Sequence, residues 1–217
     1  MASYVPNRKL REDYDVSSSE CKCTSALLVI DMQNYTCHPK GKCVSGLALP
    51  EYFWTRLDEV VVPNTQKLLK ASRSRSQEVI YTNIECQTLD CRDNSLDYKV
   101  SGLVVPKGSW DAKVIDQIKP EENEIVLPKT SCNVFVSTNL DYVLRCLGVG
   151  HLIVCGGLTD QCIDACVRTG ADLGYVVTLA EDCCITHSEQ RQRQALDALK
   201  GFCRIRSADE IITQMIK

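Results

Sequence analysis

The sequence predicts a three-layer α/β fold, an open, Rossmann-like parallel sheet of about six strands with helices on both faces. Three observations lead there. Short apolar runs alternate with longer segments whose apolar residues recur at helical spacing, the pattern of parallel strands joined by right-handed helical crossovers. Apolar runs such as Ala26-Leu27-Leu28-Val29-Ile30 are continuous, which suits strands covered on both faces. No internal repeat or low-complexity tract interrupts the alternation.

Taken in order, residues 1–24 form a polar N-terminal lead-in, expected to lie over the domain surface or against a neighbouring subunit, and residues 25–217 form one domain. At 217 residues the chain can bury a sizeable core and stays short of the length at which chains divide. Strands are expected near 26–31, 78–84, 124–128, 151–156, 175–180 and 203–206. Helices are expected near 51–73, 111–118, 138–148, 161–173, 188–200 and 208–216. Ser188-Glu189-Gln190-Arg191 opens a helix with Ala195, Leu196 and Leu199 on one side, and Gly201 supplies its stop. Ser207 similarly precedes Ala208-Asp209-Glu210.

Composition narrows the function classes. The formal net charge of −3 arises from interspersed acids and bases, so neither a nucleic-acid groove nor an anionic membrane surface is indicated as a partner. A small polar substrate fits better. Fourteen cysteines could suggest a disulfide scaffold, but Cys86, Cys132, Cys146, Cys155, Cys183 and Cys184 fall in apolar strands or helices and read as reduced core or near-core residues. Cys21, Cys23, Cys37, Cys43 and Cys91 lie in less regular segments, and Cys21 and Cys23 form a Cys-x-Cys pair that could oxidise or bind adventitious metal. A reducing compartment follows. The N-terminus lacks the apolar stretch of a secretory signal, and no run reaches membrane-spanning length, so the expected location is cytoplasmic.

Candidate chemistry gathers at three strand ends. The run His151-Leu152-Ile153-Val154-Cys155 leads through Gly156-Gly157-Leu158-Thr159-Asp160-Gln161 to Cys162 in a first helical turn. Unpaired backbone N–H groups and the positive end of the helix dipole should make such a thiol ionise easily. A free cysteine there could equally be a small buried hydrophobe. Asp31 ends the run 26–30, and Lys129 follows Glu124-Ile125-Val126-Leu127-Pro128. Singly, Asp31 reads as a turn residue and Lys129 as a solvated charge. Together with Cys162 they stand where an open parallel sheet binds ligands, outside the carboxyl ends of its strands.

Here the sequence resembles the isochorismatase-like cysteine hydrolases. The matching pieces are Leu28-Val29-Ile30-Asp31-Met32-Gln33-Asn34, Val126-Leu127-Pro128-Lys129-Thr130, and Gly157-Leu158-Thr159-Asp160-Gln161-Cys162 running on to Ala171-Asp172-Leu173-Gly174-Tyr175. The resemblance implies a catalytic triad of Asp31, Lys129 and Cys162. It also implies a cis peptide at Gly157-Leu158, an oxyanion hole from the backbone N–H groups of Leu158 and Cys162, and a homo-oligomer.

Two long connections, about 33–50 and 85–109, should border the pocket, since long loops in compact domains tend to carry function. Gln33, Tyr35 and Glu85 from these stretches, and Trp110 directly after the second, are the candidate substrate contacts. Glu85 is the preferred polar selector, with a salt bridge to Arg92 or Lys99 as the alternative. The nicotinamidase branch of the resembled family carries a metal on an Asp and histidines, but His38, His151 and His187 are dispersed and none lies in 78–110. No metal and no other cofactor is therefore expected.

The resulting expectation is C–N cleavage of a small amide or ureido substrate, with Asp31 as general base and Cys162 as nucleophile. The alternative is hydrolysis of the vinyl ether of isochorismate to pyruvate and a dihydroxy-cyclohexadiene carboxylate, which uses Asp31 as proton donor and needs no thiol. A binding module without turnover is a third reading, against which the intact triad speaks.

Overall fold

The computed structural model describes residues 24–43 and 49–216. The lead-in, with Cys21 and Cys23, lies outside the described residues. Six strands, β1 (Thr24–Ile30), β2 (Glu78–Ile84), β3 (Ile125–Lys129), β4 (Val149–Gly157), β5 (Val176–Ile185) and β6 (Arg204–Arg206), form one sheet in the order β3-β2-β1-β4-β5-β6. Every pairing is parallel. From β1 the chain winds outward through β2 to β3; it then returns to the other side of β1 and winds outward again from β4. The junction between β1 and β4 is thus the topological switch point, where such sheets open a ligand crevice.

Alternate residues of β1 separate the two cores. Leu27 and Val29 face one cluster with Phe53, Leu57, Leu68 and Ile211, while Ala26, Leu28 and Ile30 face another with Leu140, Leu144, Cys166 and Leu199. The first layer is built by α2 (Glu51–Arg56) and α3 (Val62–Arg73), joined by a π-helical stretch Leu57–Val61, and by α9 (Ala208–Ile216). The second is built by α6 (Leu140–Cys146), α7 (Asp164–Asp172) and α8 (Glu189–Leu199). The short helices α1 (Asn34–Cys37), α4 (Leu96–Val100) and α5 (Val134–Ser137) lie in the connections after β1, β2 and β3. No helix among the described residues is long and apolar enough to cross a membrane.

Gly156 fixes the switch point. Its φ is +122°, and a Cβ there would stand 2.0 Å from the Ile30 carbonyl oxygen, so only glycine lets β4 pass this close to β1.

The structure corrects several expectations. No helix forms over 111–118; two 3₁₀ turns, Trp110–Ala112 and Asp116–Ile118, flank an extended stretch instead. Val114 bridges Gln33, Asn34 N–H donates to the Lys113 carbonyl at 2.8 Å, and Ile115 N–H donates to the Met32 carbonyl at 3.0 Å. Backbone pairing with the segment after β1 outweighs local helix propensity there. The connection 85–109 is not irregular throughout, because the Ser95 side chain accepts from Tyr98 N–H and starts α4. Cys146, expected near the core, is exposed at the end of α6, whereas Cys37 and Cys91 are buried.

Candidate active site

Asp31, Lys129 and Cys162 converge at the carboxyl ends of three strands. Asp31 follows β1 with a left-handed backbone, φ +54°, which Asp tolerates better than most residues. Its N–H donates to the Thr82 carbonyl at 3.0 Å, and its Oδ1 accepts from the Thr82 hydroxyl at 2.8 Å. Lys129 ends β3, with β2 between it and β1. Strands two places apart are separated by about 9.6 Å, a gap that a lysine side chain bridges from its own strand end. Its Nζ lies 2.8 Å from Asp31 Oδ2, and the two side chains are 0% and 2% exposed.

The same ammonium donates to Cys162 Sγ at 3.4 Å, to the Tyr98 hydroxyl at 3.1 Å and to the Ser131 carbonyl at 3.0 Å. Burial alone would pull the Lys129 ammonium down. The Asp31 carboxylate, the Cys162 sulfur and the Tyr98 oxygen outweigh it and hold the group well above its ordinary value. Burial raises the Tyr98 phenol, so it meets the lysine as a neutral acceptor.

Cys162 lies in the π-helical turn Thr159–Ile163, which follows β4 and runs into α7. The Gly157–Leu158 peptide is cis, and the Leu158 carbonyl accepts from Gln161 N–H at 3.0 Å and Ile163 N–H at 3.2 Å. The turn is held from behind: Thr159 Oγ1 donates to Gln192 Oε1 at 2.7 Å, and Asp160 accepts from Thr186 and Arg191.

The expectation of an easily ionised thiol needs correction. Cys162 is buried and shares a hydrogen bond with Cys132, whose Sγ is 3.8 Å away. That bond, the burial and the nearby Asp31 carboxylate push the Cys162 thiol well above its usual value, against the pull of Lys129. The Cys132 thiol is held below its usual value, by the bond to Cys162 and then by Lys129. Cys162 thus rests as a thiol within reach of the Asp31 charge.

The remaining candidates lie elsewhere. Gln33 is buried and clamps strand ends: Nε2 donates to the Ile84 and Asp111 carbonyls at 2.9 and 3.0 Å, and Oε1 accepts from Ile84 N–H. Tyr35 packs with Ile84, Tyr98 and Val105 in a small buried cluster. Glu85 accepts from Asn83 Nδ2 at 2.9 Å and from Gly108 N–H at 2.7 Å, so it pairs with neither Arg92 nor Lys99 and braces its own loop. Trp110 is 45% exposed and stands edge-on to His38. Glu85 and Trp110 line a cleft of about 560 Å³ with Asn34, Asn83 and Lys113; none of Asp31, Lys129 and Cys162 lines it. Among the described residues no group of three or more His, Cys, Asp or Glu is placed to hold a metal ion. Thr82, Tyr98 and Cys132 are the neighbours that sequence reasoning missed.

Comparison with known proteins finds a family model, a relative and solved structures that this chain resembles. The isochorismatase domain matches residues 25–210. The ureidoacrylate amidohydrolase RutB of Caulobacter segnis is 29% identical, over 82% of this chain and 80% of that protein. The cysteine hydrolase of Pseudomonas syringae pv. phaseolicola 1448A superposes with a TM-score of 0.77 at 25% identity, covering 88% and 92% of the two chains. The N-carbamoylsarcosine amidase of Thermoplasma acidophilum does so with a TM-score of 0.69 at 25% identity, covering 86% and 97%.

Proposed function

The chain belongs to the isochorismatase family of hydrolases, and on that premise we propose that it cleaves the C–N bond of a small amide or ureido substrate through a thioester on Cys162, without a metal. One observation carries the reading: a single buried ammonium, Lys129 Nζ, touches both Asp31 Oδ2 at 2.8 Å and Cys162 Sγ at 3.4 Å. A vinyl-ether hydrolase needs the carboxyl group but has no use for a thiol on the same lysine. The names of two relatives point the same way, since ureidoacrylate and N-carbamoylsarcosine both carry a carbamoyl-nitrogen group.

In this mechanism Asp31 takes the Cys162 proton as the sulfur attacks the carbonyl carbon, and Lys129 stays charged beside both anions. The tetrahedral oxyanion is held by the N–H groups of Leu158 and Cys162, each donor of this kind contributing about 2.7–4 kcal/mol. The proton on Asp31 passes to the departing nitrogen, the C–N bond breaks and a thioester remains. Water then loses a proton to Asp31, attacks the thioester and frees the acid, and the returned proton restores the thiol.

Substituting Cys162→Ala tests the proposal on a panel of small amides and ureido acids, with ammonia release as the readout and isochorismate with pyruvate release beside it. Loss of several orders of magnitude in kcat on a C–N substrate is expected. Retention of a tenth or more, a barrier change of only about 1.4 kcal/mol, or pyruvate release without ammonia, overturns the nucleophile role in favour of ether hydrolysis.

A further inference from the structure

Cys132 touches the nucleophile, and C–N cleavage leaves it without a task. Its sulfur is already in contact with that of Cys162, at 3.8 Å, and both thiols are free. The two sit on scaffolds pinned to each other: Asn133 Nδ2, next to Cys132, donates to Thr169 Oγ1 at 2.7 Å on α7, the helix that follows Cys162. Cys132 is partly exposed while Cys162 is buried, so the pair runs from the surface to the reacting sulfur. Lys129 Nζ lies beside Cys162 and stabilises negative charge on the pair.

We propose that Cys162 and Cys132 form a reversible oxidation site for hydroperoxides, in which Cys132 resolves the oxidised nucleophile as an intramolecular disulfide. The Cys162 thiol yields its proton as its sulfur bonds one peroxide oxygen and the O–O bond breaks, giving a sulfenic acid and a hydroxide that takes up the displaced proton as water. Cys132 sulfur then attacks the sulfenic sulfur, and its proton leaves with the hydroxyl as a second water. Two thiols are oxidised by two electrons and one peroxide is reduced to two waters. Bonding the two sulfurs closes a gap of 3.8 Å to about 2.05 Å. The disulfide blocks the nucleophile, and a thiol reductant frees it by exchange. The site stands whichever bond the enzyme hydrolyses.

The test treats the protein with about five equivalents of hydrogen peroxide, a sulfinic acid consuming two, blocks residual thiols during denaturation and maps the peptides, so no substrate is involved. A linked pair containing Cys132 and Cys162 is expected, about 2 Da lighter than the reduced peptides and reversed by dithiothreitol. In Cys132→Ser the linked pair is absent and Cys162 gains about 32 Da as sulfinic acid, at least about tenfold faster than in wild type and beyond rescue by dithiothreitol. Wild-type Cys162 passing to sulfinic acid as fast as in the variant overturns the proposal. So does a linkage that joins Cys86 to its buried neighbour Cys91 instead. If Cys132→Ser does not fold, the wild-type map alone decides.

Discussion

At the scale of single residues, Lys129 has four partners for the three protons of an ammonium. One contact always yields, and the thiol of Cys162 is the weakest acceptor until it ionises. Removing the lysine leaves Asp31 buried without its counter-charge, so Lys129→Met should lose about 3–5 kcal/mol of stability in urea unfolding. Cys162→Ala deletes a neutral group and should lose far less. Both variants should be inactive under the proposed chemistry, and equal stabilities for the two would contradict the ion-pair account. His151 offers a pH test. Burial and Arg204 lower it to about 3, and its ring nitrogens meet Ser25 and Thr178. Below the ordinary histidine value of about 6.5 the unfolded chain binds a proton that the folded chain refuses, so stability falls as pH drops from about 6.5 toward 3, by at most about 1.4 kcal/mol per unit. Tm measured from pH 7 to 4 should drop less steeply in His151→Gln; an unchanged slope would remove His151 as the cause. Asp31 and Lys129 were legible as candidates because each stands at the end of an apolar run, and Cys162 because a glycine turn after such a run leads it into a helix. Tyr98 and Cys132 were not, because loop folding brings them to the site and no local pattern records it.

At the scale of elements, what was legible depended on whether local signals met tertiary competition. Ser188 and Ser207 mark the starts of α8 and α9, and both helices form where those signals place them. The stretch 111–118 has helix-like spacing, yet its backbone groups pair with the chain after β1. Ser95 caps α4 from inside a polar stretch, where no apolar periodicity marks a helix. Ser95→Ala should cost about 1 kcal/mol and loosen α4, which brings Tyr98 to Lys129; thermal unfolding alongside kcat checks both. Gly156→Ala is the harsher change, since its methyl group would meet the Ile30 carbonyl at 2.0 Å. It should abolish soluble expression or lower Tm by more than 10 °C, corresponding to at least about 3 kcal/mol for a chain of this size. A near-native Tm would show that the strands can part there.

At the scale of the whole molecule, alternation of strands and helices made the layered architecture legible, but the strand order was not, because order depends on which crossovers turn left or right of β1. The dispersed histidines give a whole-molecule expectation: prolonged dialysis against a chelator should leave turnover within twofold of the untreated enzyme. Loss restored by zinc or iron would contradict metal-independent chemistry. The order β3-β2-β1-β4-β5-β6 leaves β3 at one edge, paired on one side only among the described residues, with Val126 40% exposed. That outermost strand ends in the most deeply buried charge of the site, and the ammonium reaches across β2 to hold Asp31. The ion pair is therefore also a latch on the sheet's margin: amide exchange across Ile125–Lys129 should accelerate in Lys129→Met while β5 stays protected. An enzyme built this way loses its chemistry and the security of its border in the same event.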